Sequence, residues 1–298
     1  MKVEDTPLHE RQSSMEYVPL GKTGIEVSRL GFGGAPVGLN NYLELFSPTD
    51  DDIHQQLIAA VIRAVELGVN YFDTAPAYGK GVGEQIFGEA LDQAGKPVFI
   101  ATKVLPHETD LRGSLEGSLK RLRRDSLDLL QVHGNSFDQQ TADALLAPGG
   151  LVEQMQQLKA EGLIRLIGFT SEDNNAAIYR FIEAGVFDAM QINFNLLFQH
   201  PVDWTHPFGS LVDARERGLG TITMRAMTAG VFQKWIELVD PQNSFDYAPA
   251  LLQYALSNPL ADVVLVGMRS PQMVEENVRI CEDSAGRIDL AALHTKFF

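Results

Sequence analysis

One cysteine, Cys281, is all that 298 residues contain. A lone cysteine excludes an internal disulfide framework and a cysteine-rich zinc site. It falls in a predicted amphipathic helix, where a small packed residue is the expectation. Basic residues are also short: 24 Lys+Arg stand against 39 Asp+Glu, a formal net charge of −15 and a sequence pI near 4.8. Such acidity argues against nucleic acid or an anionic membrane as partner. No apolar run approaches the roughly 20 residues of a membrane-spanning helix. The start, Met1-Lys2-Val3-Glu4-Asp5-Thr6, is polar and acidic, unlike a secretory signal. A cytoplasmic protein with no membrane partner is the expectation. Low-complexity segments and domain linkers are missing as well. A hydrophobic content of 45% suffices for a sizeable core.

What is present is a rhythm. Residues 1–16 read as a polar tail and 17–298 as a single domain. Tyr17-Val18-Pro19-Leu20 and Ile25-Glu26-Val27-Ser28 flank Gly21-Lys22-Thr23-Gly24, which predicts a β-hairpin. Eight apolar runs follow, near 29–33, 70–73, 98–102, 127–133, 164–170, 189–193, 220–224 and 262–266. Their hydrophobicity is mostly unalternating, as in parallel strands buried on both faces. Helical stretches separate them, near 51–67, 83–95, 110–122, 151–161, 175–184, 208–217, 248–258 and 271–281. The first has its apolar stripe at Ile53, Leu57, Val61, Ala64 and Val65. Eight strands alternating with eight helices predict a (β/α)8 TIM barrel with the hairpin outside it. The long loops, 34–48, 134–149, 194–206 and 225–247, follow strands and would build the active-site face.

The chemistry gathers around Tyr71-Phe72-Asp73-Thr74-Ala75-Pro76-Ala77-Tyr78-Gly79, a short strand running into a loop. Asp73 ends the strand and Tyr78 follows it. A phenol, with a reference pKa of about 10, is a useful proton donor at neutral pH only beside a cation. The next apolar run ends on Lys103, and the one after it on His133. Taken alone, Lys103 reads as a solvent-facing lysine and His133 as a satisfied core histidine. Together the four predict a proton-transfer site, with Lys103 fixed by Asp73 and lowering the Tyr78 pKa. Gly31-Phe32-Gly33-Gly34 is glycine-rich, but no helix is expected to open on it, so it is not a dinucleotide fingerprint. Gly79-Lys80-Gly81-Val82-Gly83 reads as a loop whose glycines let the backbone pass close to the site. His200 and His206 lack carboxylate or cysteine company and predict no metal. Trp204, Phe208, Trp235 and Phe46 either line an apolar substrate pocket or simply pack their loops.

Phe72-Asp73-Thr74-Ala75 with Tyr78-Gly79, Thr102-Lys103, and Leu130-Gln131-Val132-His133 together resemble the aldo-keto reductases. The resemblance implies a parallel (β/α)8 barrel whose N-terminal mouth is closed by the hairpin. It implies NADPH-dependent reduction of an aldehyde or ketone, or the reverse oxidation, with Asp73, Tyr78, Lys103 and His133 as catalytic tetrad. Gly267 and Arg269, between the eighth strand and its helix, suit a phosphate by their own chemistry. The resemblance assigns Arg269, Glu276 and Asn277 to the adenosine 2′-phosphate and adenine. It assigns Thr170, Ser171 and Gln191 to the nicotinamide carboxamide, with Met224 and Arg225 in place of the usual stacking aromatic ring. NADP(H) is the implied cofactor, with NAD(H) the other candidate, and a small carbonyl compound the implied substrate. Two other readings stay open: a non-catalytic cofactor-sensing subunit of a larger complex, and a cofactor-free lyase or isomerase using Lys103 as a Schiff-base nucleophile.

Overall fold

The computed structural model describes residues 15–199, 209–290 and 292. Eight parallel strands close into a barrel in the order β10-β3-β4-β5-β6-β7-β8-β9. They are β3 (Leu30–Gly33), β4 (Tyr71–Asp73), β5 (Phe99–Val104), β6 (Leu127–His133), β7 (Ile164–Ser171), β8 (Ala189–Asn193), β9 (Gly220–Met224) and β10 (Val263–Val266). Strands β1 (Tyr17–Pro19) and β2 (Glu26–Ser28) pair antiparallel as the predicted hairpin. The hairpin lies against the N-terminal ends of the barrel strands. Gly21 N donates to Asp262 Oδ2 at 2.9 Å just before β10, and Ser28 N to Asn70 Oδ1 at 2.7 Å just before β4.

Side chains alternate across each strand, so the barrel has two cores. The inner one holds Tyr71, Phe99, Ala101, Leu129, Leu166, Ala189, Ile222, Val263 and Leu265, plugged from below by Leu20 and Val27 of the hairpin. The outer one packs Phe72, Ile100, Leu130, Phe169 and Ile192 against the helices. Counting on by twos from the inner set gives Asp73 on β4, Lys103 on β5, Gln131 and His133 on β6, Thr170 on β7, Gln191 on β8 and Met224 on β9. The same pleat that fills the barrel with apolar groups therefore aims these side chains inward at its C-terminal end. Register places them level: Lys103 is opposite Gln131, His133 opposite Thr170, and Thr170 opposite Gln191.

The helices at the predicted places are α2 (Asp51–Glu66), α3 (Val82–Ala94), α4 (Leu111–Leu122), α6 (Leu151–Ala160), α7 (Ala176–Glu183), α8 (Ser210–Arg217), α10 (Ala248–Leu256) and α11 (Pro271–Glu282). Three more lie inside segments read as loops: α1 (Ala35–Gly38), α5 (Gln139–Leu146) and α9 (Val231–Val239). The first corrects an expectation, since a helix does open after Gly33-Gly34. It is a single turn, and Gly34 N is engaged by Asp73 O at 2.7 Å. A Cβ on Gly34 would sit 2.6 Å from that same carbonyl, so the glycine serves strand–loop packing rather than a phosphate. Cys281 is buried on α11, as expected of a packed residue, and burial pushes its thiol up to about 11. No helix among the described residues is long and apolar enough to cross a membrane. Of the expectations on chain ends and loops, most of the tail, His200, Trp204, His206 and Phe208 lie outside the described residues.

Candidate active site

Lys103 is buried at the heart of the strand ends, 1% exposed. Its Nζ donates to Asp73 Oδ1 at 2.6 Å and to the Thr74 carbonyl at 2.6 Å. Both are short hydrogen bonds from a charged donor, one to a carboxylate and one to a carbonyl. The same nitrogen stands 5.0 Å from the centre of the Tyr78 ring. Tyr78 meets His133 edge to face, with ring centroids 5.8 Å apart. Asp73, Tyr78, Lys103 and His133 all face one cavity of about 830 Å³.

Burial disfavours the Lys103 ammonium, but Asp73 and then Tyr78 more than reverse this and hold its pKa above the usual lysine value. Burial lifts the Asp73 carboxyl, while Lys103 and the two glutamines, Gln191 and Gln131, pull it back down. Burial also lifts the Tyr78 phenol, and Lys103 opposes that rise without overcoming it. The sequence expectation was a lowered phenol. Lys103 does act in that direction, but the cost of forming a buried phenolate outweighs the neighbouring cation, and the net shift is upward. Tyr78 is therefore a neutral phenol that holds its proton at neutral pH. Burial, and secondly Lys103, push His133 down to about 3, so its imidazole is neutral. A lysine whose pKa is raised and whose nitrogen is doubly engaged is poorly suited to Schiff-base chemistry, which needs a free amine.

Gln131 is a residue that the sequence reading quoted but gave no role. Its Nε2 donates to Asp73 Oδ2 at 3.1 Å and to Gln191 Oε1 at 3.1 Å. Its position two residues before His133 on β6 was the available signal, because alternation puts both on the inner face. Gln191 in turn directs its Nε2 toward Met224 Sδ at 3.6 Å. Thr170, Gln191, Met224, Arg225, Gly267 and Arg269 line the cavity. Ser171, Glu276 and Asn277 are not among its lining residues. Ser171 falls on the outward phase of β7, and its hydroxyl donates to the backbone carbonyl of Asp173 at 3.0 Å. Glu276 is exposed on α11 and accepts from Gln272 at 2.9 Å. Asn277 is buried on the same helix. Thr170 Oγ1 is itself held by Gly134, donating to its carbonyl at 3.0 Å. Arg225 is paired with Glu172. Phe46 lines the cavity and lies under the Arg269 guanidinium, 4.4 Å from its ring centre, whereas Trp235 is exposed on α9.

One end of the cavity thus offers a phenol, a cation and an amide, the other an arginine, on the face where barrel enzymes carry their chemistry. The family model of the aldo/keto reductase family matches residues 29–291. The chain is 30% identical to the aldo-keto reductase YhdN of Bacillus subtilis, over 88% of this chain and 87% of that one. It is 29% identical to L-galactose dehydrogenase of Arabidopsis thaliana, over 89% and 88%. Among solved structures, an aldo/keto reductase from Klebsiella pneumoniae in complex with NADP and acetate superposes with a TM-score of 0.69 at 21% identity, covering 94% of each chain. The chain belongs to the aldo/keto reductase family, and it is an NAD(P)-dependent oxidoreductase.

Proposed function

We propose that the protein interconverts an aldehyde or ketone and its alcohol, with Tyr78 as the proton donor to the carbonyl oxygen. The observation that carries this reading is the buried Lys103–Asp73 pair set against the Tyr78 ring. The residues present suit a nicotinamide dinucleotide. Gln191 carries an amide able to pair with a carboxamide, and Met224 beside it presents a thioether to a flat ring. Arg269, at the mouth of α11, provides a cation at the other end of a cavity of about 830 Å³, within the usual range for such sites. The nicotinamide, when bound, supplies the hydride. Its carboxamide would be held by Gln191 and Thr170, and its far end by Gly267 and Arg269. The Klebsiella relative is described in complex with NADP, which supports a nicotinamide dinucleotide as the class of cofactor.

The chain's own residues perform the rest. Tyr78 presents a neutral phenol O–H to the carbonyl oxygen of the substrate. As negative charge develops there, the proton moves across, and the fixed Lys103 ammonium stabilises the phenolate left behind. Asp73 keeps Lys103 charged and in place, and Gln131 keeps Asp73 in place. His133, neutral, offers a ring N–H to orient the same carbonyl oxygen without competing as an acid. The burial of Lys103, Asp73 and Gln131 raises the worth of each of these contacts.

Purified protein mixed with NADPH or NADH and a panel of small aldehydes and ketones should consume the reduced nicotinamide, read by its absorbance. Tight binding of either dinucleotide with no consumption across the panel would favour the cofactor-sensing alternative. The relative named L-galactose dehydrogenase makes hydroxylated sugars the first alcohols to test in the oxidative direction.

A further inference from the structure

Arg269 is not a free cation waiting for an anion. Its Nη1 is ion-paired with Glu44, its Nη2 donates to the Tyr42 carbonyl, and its flat face rests on the Phe46 ring. All three partners come from one short loop, 225 residues away in sequence. The loop is braced by its own bonds: Asn41 N donates to Phe46 O at 2.7 Å, and Phe46 N donates to Asn41 Oδ1 at 3.0 Å. Asn41 and Leu43 take left-handed backbone angles to close it, with φ of 53° and 70°. Glu44 is therefore carried to Arg269 by a preformed turn, while its side chain stays 70% exposed.

The charges around the cavity pair off. Lys103 has Asp73, Arg225 has Glu172 and Arg269 has Glu44. Among the described residues lining the cavity, no further lysine or arginine is left over to meet a phosphate. Position 268, next to Arg269, is a buried methionine, and position 273 on the first turns of α11 is an exposed one. A phosphate monoester brings a charge of roughly −1.5 to −2 near neutral pH. It would have to displace Glu44 from Arg269 or share the site with a like charge. A ribose hydroxyl in the same place adds no charge and donates a hydrogen bond that a carboxylate accepts well.

We propose that Glu44 is the specificity-determining residue that sets coenzyme choice toward NADH and against NADPH. Its carboxylate neutralises Arg269 and accepts from the adenosine 2′-hydroxyl that NADPH carries phosphorylated. The proposal rests on the dinucleotide reading above.

The test is direct binding of each reduced dinucleotide, followed by quenching of protein fluorescence, in the native protein and in Glu44→Gln. The native protein should bind NADH about tenfold more tightly than NADPH, the scale expected of one like-charge contact between a largely exposed carboxylate and a phosphate beside a mostly buried arginine. Glu44→Gln should close most of that gap, tightening NADPH about tenfold and weakening NADH two- to threefold as a charged acceptor becomes a neutral one. Adenosine 2′,5′-bisphosphate and adenosine 5′-monophosphate, titrated as competitors, should show the same reversal without any turnover. Tighter binding of NADPH by the native protein would overturn the proposal, as would a preference unchanged in Glu44→Gln. Binding of neither dinucleotide would overturn the dinucleotide reading and this proposal with it. Binding of both with an unmoved ratio would overturn this proposal alone.

Discussion

Replacing Asp73 with Asn removes one charge from the most buried ion pair of the site and little volume. Lys103 is 1% and Asp73 2% exposed, so solvent cannot take over the lost interaction. The Asn oxygen can still accept from Nζ, and the Thr74 carbonyl remains at 2.6 Å. Neither is an anion. The new amide N–H₂ would also face Gln131 Nε2, which donates to Asp73 Oδ2 at 3.1 Å, setting donor against donor. Stripping one partner from a buried pair costs about 3–5 kcal/mol, because the remaining charge keeps its desolvation penalty. The retained dipoles place this case near the lower figure, roughly a hundredfold in the folding equilibrium. Urea unfolding of the native and variant proteins measures it directly. The cause is separable from general damage. Adding Lys103→Met to Asp73→Asn removes the stranded charge and should restore at least about half of the loss. Destabilisation below about 1 kcal/mol, or a double variant no more stable than the single one, would refute the reasoning.

Three further outcomes follow from the geometry. His133 is neutral in the fold down to about pH 3 but titrates near 6.5 when unfolded, so the unfolded chain binds more protons between those values. Stability therefore falls as pH drops through that window, by up to about 1.4 kcal/mol per pH unit from this group; His133→Gln should flatten the slope measured by urea unfolding between pH 7 and 5, and an unchanged slope would assign it elsewhere. Gly79 has φ of 66° and an added Cβ would lie 2.0 Å from the Gly38 carbonyl, so Gly79→Ala should cost more than about 1 kcal/mol and displace the Tyr78 loop; unfolding together with the turnover rate checks both. Gln131→Leu leaves Asp73 Oδ2 and Gln191 Oε1 without their shared donor and should destabilise by about 1–3 kcal/mol, read by thermal unfolding with turnover measured alongside.

The barrel was legible because its strands are mostly unalternating apolar runs spaced by helical stretches, and because glycines end several helices. The four candidate catalytic residues were legible because Asp73, Lys103 and His133 are the polar residues that close three successive apolar runs of the sequence, with Tyr78 one loop beyond the first. What escaped had separate physical causes. Helices α5 and α9 are short and interrupt loops. The first carried a signal that could have been used, Asp138 three residues before Thr141, whose N–H it caps at 2.7 Å. The second buries none of its residues, so its apolar pattern matches no core. Ser171 looked equivalent to Thr170 because adjacent residues are indistinguishable until the phase of the strand is known; alternation sends one inward and the other out. The Arg269–Glu44 pair joins positions 225 residues apart, and no periodicity connects them. The net direction of the Tyr78 shift also escaped, since it depends on how deeply the fold buries the phenol.

Tyr78→Phe tests the central claim most directly. It removes one oxygen and no packing, so dinucleotide binding measured by fluorescence should stay within about threefold of native. Consumption of reduced nicotinamide with a substrate aldehyde should fall by about 10²–10⁴, the usual contribution of a positioned proton donor. Turnover within a few-fold of native in that variant, with binding intact, would contradict the account.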